Sequence, residues 1–115
     1  MELTNKKCLP CEGIGKAFAA AEAQARIKEI PGWSLAADSK SIWREYITKD
    51  FTAAVDFINA IAPIAEEENH HPDLHLTGYR KLHIDLNTHA LGGITENDLI
   101  LAAKINGLKP CLAKA

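Results

Sequence analysis

A chain of 115 residues, 47% hydrophobic and 24% charged, has the length and balance of one soluble globular domain. Its net charge of −2 argues against a nucleic-acid surface built on Lys and Arg, and no apolar run reaches the length of a membrane span. The start, Met1-Glu2-Leu3-Thr4-Asn5-Lys6-Lys7, lacks the apolar stretch of a signal peptide, and three cysteines is an odd number. The expectation is a cytoplasmic protein with free thiols, in which residues 1–12 are an irregular lead-in, 13–108 a single domain and 109–115 a tail.

Taken in chain order, the alanine-rich run from Lys16 to Ile30 has high helix propensity, with Phe18, Ala21, Ala25 and Ile27 as its apolar stripe. Pro31-Gly32 stops it. Trp33–Ala37 and Ile42–Thr48 read as two strands joined by turn chemistry at Ala37-Asp38-Ser39-Lys40. Asp50 is a suitable N-cap for a second helix with Phe51, Val55, Ile58, Ile61 and Ala65 toward the core. Pro63 lacks a backbone donor, so a kink or an early end is expected near Asn59–Pro63. Glu66-Glu67-Glu68 sits where the helix macrodipole prefers cations, which suggests a use for at least one of these acids.

Leu74–Thr77 is a short strand candidate and Tyr79–Asn87 the clearest one, because Leu82, Ile84 and Leu86 alternate with His83, Asp85 and Asn87. Gly92-Gly93 breaks it. Thr95 and Asp98 approximate a capping box for a last helix carrying Leu99, Ala102, Ala103 and Ile105, and Gly107 ends that helix. The order α-β-β-α-β-β-α predicts an α+β fold of two layers, a four-stranded antiparallel sheet with helices on one face.

All five histidines fall between His70 and His89. Histidine is the side chain whose unperturbed pKa lies between pH 5 and 8, so this crowding points to a proton-transfer site. Two bland readings stand beside it. His70 and His71 would also suit a helix C-terminus as capping cations, and Trp33 and Trp43 are more often packing anchors than ligand platforms. The later Thr88-His89 pair favours the site. His75 and His83 are read as surface residues, and Asp98 as a helix-start residue.

Glu66-x-x-Asn69-His70-His71-Pro72, Tyr79, Leu82-x-Ile84-x-Leu86-x-Thr88-His89 and Gly93-Ile94-Thr95-x-x-Asp98 resemble the pterin-4a-carbinolamine dehydratase family. Pro31-Gly32-Trp33, Asp50-Phe51 and the lead-in Lys7-Cys8-Leu9-Pro10-Cys11-Glu12-Gly13 fit the same pattern, the last in its bacterial-type members. The resemblance covers roughly residues 7–108. It implies dehydration of 4a-hydroxytetrahydropterin to quinonoid dihydropterin, without metal or cofactor, in recycling the pterin of aromatic amino-acid hydroxylases. It also implies a homodimer or homotetramer. His70 and His89 are then the acid and base. Glu66 lies one helical turn before His70, a spacing that places it to hydrogen-bond that ring and fix its tautomer. His71, Pro72, Thr88 and Trp33 would border the pterin.

Three features depart from or qualify the match. Pro63 stands where the family continues its helix, His83 occupies a variable position, and the His71–His89 spacing is that of bacterial-type rather than animal members. An alternative function implied by the resemblance is a protein-binding module that partners a transcription factor. Cys8-x-x-Cys11 invites a zinc reading, but a structural zinc site takes four ligands, and beyond Cys111 no fourth is evident. Free thiols are the favoured reading, ahead of zinc and a redox dithiol.

Overall fold

The computed structural model describes residues 3–8 and 15–113, and in it three helices cover one face of a four-stranded antiparallel sheet. The elements are α1 (Ala20–Arg26, continued by a 3-10 turn Ile27–Glu29), β1 (Ser34–Leu35), β2 (Ile42–Ile47), α2 (Phe51–Glu68), β3 (Asp73–Thr77), β4 (Lys81–Leu86) and α3 (Glu96–Asn106). The strands lie in the order β1-β2-β4-β3, which puts the hairpin strand β4 at the centre and β3 at an edge. The α+β class and the element order agree with the sequence reading.

Binary patterning builds the core. On β4, Leu82, Ile84 and Leu86 point inward and are almost wholly buried. Opposite them across the β2 register come Tyr46, Arg44 and Ile42. Phe57 and Ile61 of α2 pack onto this surface, with Phe57 meeting the Tyr46 ring edge-on at 4.7 Å between centroids. Helix α3 is enclosed on several sides, so Leu99, Leu101, Ala102 and Ile105 all join the core. Each such Leu or Ile contributes roughly 1.5–3 kcal/mol by leaving water.

Several boundaries differ from expectation. Helix α1 starts at Ala20 rather than Lys16, because the residues before it are engaged elsewhere: the Phe18 amide donates to the Ile94 carbonyl at 2.8 Å. Its buried residue is Ala23, while Ala21 and Ala25 face solvent. Strand β1 is only two residues long. Strand β4 begins at Lys81, because Gly78 and Tyr79 both adopt left-handed φ in the hairpin turn.

Helix α2 does not end early at Pro63, and its inward stripe differs from the expected one. Asp50 caps it as anticipated, accepting from the Ala53 amide at 2.8 Å. The helix then runs through Pro63 to Glu68 as one segment. Pro63 and Asn59, whose carbonyl loses its helical partner, are both exposed, so the lost bond falls on the solvent side of the helix and not in the core. The inward stripe is Ala53, Ala54, Phe57, Ile61, Ala65 and Glu68, whereas Phe51 is 54% exposed. The tail also has structure. Cys111–Ala113 lies beside the end of β2, where Lys49 donates to the Cys111 carbonyl and Ala113 to that of Ile47, each at 2.9 Å.

Candidate active site

The end of α2 is built to turn the chain sharply. Asn69 takes a left-handed conformation (φ 51°), a role asparagine tolerates better than most residues, and the His70 amide returns to the Ala65 carbonyl. This turn sends His70 inward and His71 outward. The side chain of His70 is 11% exposed and that of His71 53%. Pro72, partly buried, follows and restrains His71 to an extended backbone before β3 begins.

Glu66 meets His71, not His70: its Oε2 lies 2.5 Å from the His71 Nε2. The expected Glu66–His70 bond is therefore replaced by another. The His70 Nε2 lies 2.6 Å from Oδ1 of Asp98, a carboxylate with no exposed side-chain surface. The other oxygen, Oδ2, accepts from the Thr88 hydroxyl and from the Thr95 amide, each at 2.9 Å. Asp98 thus completes the capping box of α3 and also binds the imidazole. The helix-start reading of Asp98 captured the first role and missed the second. The Thr95–Asp98 spacing signals only the cap, and the contact with His70, 28 residues away in the chain, has no local signal.

One buried carboxylate accordingly ties together the segment carrying His70 and His71 and the segment carrying Thr88 and His89. Thr88 is 2% exposed and donates its amide to the Gly93 carbonyl at 2.7 Å. That bond closes a tight loop around the 3-10 turn His89–Leu91, with Gly92 at φ 70°. His89 stands exposed on this loop, directly after the residue that Asp98 holds. Trp33 is not part of this group. It is buried, and its indole N–H donates to Asn106 at the opposite end of α3 from Asp98.

The three acids at the end of α2 have separate partners. Glu66 takes His71, Glu67 takes Lys7, and Glu68 accepts from Lys104 Nζ at 2.6 Å and from the Cys8 amide at 2.8 Å. Burial would raise the Glu68 pKa, but those two hydrogen bonds and the Lys104 charge outweigh it and hold the carboxyl below its ordinary value. Residues Lys6–Cys8 thereby lie along the start of α3, where Lys6 also pairs with Glu96. The Cys8 thiol is pushed up to about 12 by burial and by the nearby Glu68 and Asp98 charges, which makes it a poor nucleophile. Cys111 is a second free thiol, and Cys11 lies outside the described residues.

The other two histidines stand on the outer face of the sheet. His83 stacks on Trp43 with centroids 5.3 Å apart, and His75 sits beside Asp85. Burial would lower the His83 pKa, but hydrogen bonds to Glu45 and Asp85, one at each ring nitrogen, raise it instead. Among the described residues no three His, Cys, Asp or Glu side chains converge as metal ligands. No helix there is long and apolar enough to cross a membrane. A groove of about 450 Å³ opens between the first half of α2 and residues 108–111, lined in part by Lys49, Asp56, Phe57 and Leu108, with none of the histidines on its walls.

The family described as Pterin 4 alpha carbinolamine dehydratase matches residues 16–108. The chain belongs to this family of hydro-lyases. It is 46% identical over 111 residues to a mitochondrial pterin-4-alpha-carbinolamine dehydratase 2 of Arabidopsis thaliana. That match covers 94% of this chain but only 59% of the longer plant protein. A bacterial relative, from Halorhodospira halophila and named a putative pterin-4-alpha-carbinolamine dehydratase, is 39% identical, with 94% of this chain and 98% of its own covered. Among solved structures, the transcriptional coactivator/pterin dehydratase from Brucella melitensis superposes with a TM-score of 0.72 at 30% identity, over 79% of this chain and 96% of that one.

Proposed function

We propose that this chain dehydrates 4a-hydroxytetrahydropterin to quinonoid dihydropterin by acid–base catalysis, and that it serves the recycling of a hydroxylase pterin cofactor. The observation that carries this reading is the buried Asp98 carboxylate, which binds His70 and Thr88 together and so brings two histidine-bearing segments to one place. Hydroxide is a poor leaving group. An acid must protonate the 4a-hydroxyl while the adjacent ring nitrogen drives the carbon–oxygen bond open, and a base must remove a ring proton. His70 and His89 supply these two functions, each worth about 10²–10⁴ in rate when positioned. His71, held by Glu66, and the neighbouring Pro72 and Thr88 border the pterin. Trp33, at the far end of α3, has no part in this proposal.

The protein acts as a cytoplasmic homo-oligomer in this proposal, since β3 presents an edge that pairing with another subunit would protect. Stopped-flow absorbance with 4a-hydroxytetrahydropterin tests the catalytic reading. The wild type should accelerate dehydration, and His70→Ala and His89→Ala should each lower kcat by about 10²-fold or more. Wild-type activity left intact by both substitutions refutes the reading.

A further inference from the structure

We propose that Asp98 is a positioning residue that fixes the tautomer of His70, leaving Nδ1 as the atom through which this ring exchanges protons with substrate. The proposal deepens the acid–base reading above, and its first test does not depend on it.

The argument follows the protons. A threonine hydroxyl has one proton to give. Thr88 gives its proton to Asp98 Oδ2 at 2.9 Å. The contact of 2.8 Å between the Thr88 and Thr95 hydroxyls must then run from Thr95 to Thr88. The Thr95 oxygen in turn accepts from the Asn97 amide. Oδ2 also receives the Thr95 amide, so every donor around this oxygen points at it. That is the environment of a carboxylate, an acceptor-only group. Only one proton remains undecided, the one between Oδ1 and the His70 Nε2 at 2.6 Å. An acceptor-only carboxylate has no proton to give, so the donor in this contact is the ring nitrogen. His70 is therefore an Nε2–H donor toward a buried anion, and its proton-exchanging atom is Nδ1.

The arrangement has the logic of a carboxylate that orients a catalytic imidazole without itself taking the proton. It also distinguishes the histidines. His71 is served by Glu66, a carboxylate 75% exposed that is free to leave its partner, whereas His70 is served by one with no exposure at all. A fixed tautomer is thus a property of His70 and not of His71.

Long-range ¹H–¹⁵N correlation spectra of the wild-type protein give the test, with the His70 ring assigned by its loss in His70→Gln. As pH is raised until one ring nitrogen loses its proton, that nitrogen should be Nδ1. Loss from Nε2 overturns the proposal whatever the protein's activity. In Asp98→Asn, the amide oxygen is expected to keep the Thr88 and Thr95 donors and to turn its N–H₂ group toward Nε2. The tautomer should then invert, and kcat should fall by about 10²–10⁴-fold with KM little changed. A folded Asp98→Asn variant that keeps the wild-type tautomer, or keeps wild-type kcat in an active enzyme, also overturns it. Should that variant fail to fold, the wild-type titration alone decides. Absence of dehydratase activity in the wild type, with Nδ1 still the nitrogen that deprotonates, would refute the assigned reaction and leave the positioning role standing.

Discussion

Replacing Glu68 with glutamine removes the anion from a buried ion pair while keeping the size of the side chain and one acceptor oxygen. The Glu68 side chain is 2% exposed and that of Lys104 18%. Breaking a fully buried pair costs roughly 3–5 kcal/mol because the surviving charge is left uncompensated. Lys104 keeps some access to water here, and the glutamine oxygen can still accept from Cys8, so a loss of about 2–3 kcal/mol is expected. In a domain of this length that lowers Tm by roughly 6–15 °C.

Urea unfolding of Glu68→Gln against wild type, followed from pH 8 to pH 3, measures it. The pKa of Glu68 is depressed in the folded state, so its contribution is present above the unfolded value and is lost as pH falls through the folded one. The gap between the two proteins should therefore be constant at neutral pH and close in acid. A loss under about 0.5 kcal/mol at pH 7, or a gap that widens on acidification, would show that this pair does not fasten α2 to α3.

Two further outcomes follow from the sheet and the helix. His83 has a raised folded-state pKa, so its stabilisation is present below the unfolded value and is lost as pH rises through the folded one. His83→Gln should cost about 0.5–1 kcal/mol near pH 5.5 and less at pH 9 by urea unfolding, and a cost independent of pH would count against the imidazolium clamp. Pro63→Ala restores a donor for the exposed Asn59 carbonyl and should stabilise by about 1–2 kcal/mol, after allowance for the freer unfolded chain. Thermal unfolding that showed destabilisation instead would mean that the proline ring makes a needed contact, for instance with a second subunit.

What local rules govern was legible in the chain itself. The inward alternation of Leu82, Ile84 and Leu86, the Asp50 cap and the Thr95–Asp98 capping box depend on neighbours two to four residues away. The family motif likewise pointed to His70, His71 and Thr88-His89 from their order alone. Other features rest on facts no short window contains. Pro63 is tolerated because its side of α2 faces water, and Phe51 is exposed because the inward stripe is set by where the sheet lies. The partner of His70 was misassigned because Glu66 stands four residues before it, the spacing of helical neighbours, but the left-handed turn at Asn69 ends the helix between them. That turn delivers His71 to Glu66 and aims His70 at a carboxylate 28 residues further along. Only the packing of α3 against the end of α2 brings that carboxylate within hydrogen-bonding distance, so tertiary structure, not local spacing, chose the group that holds the ring.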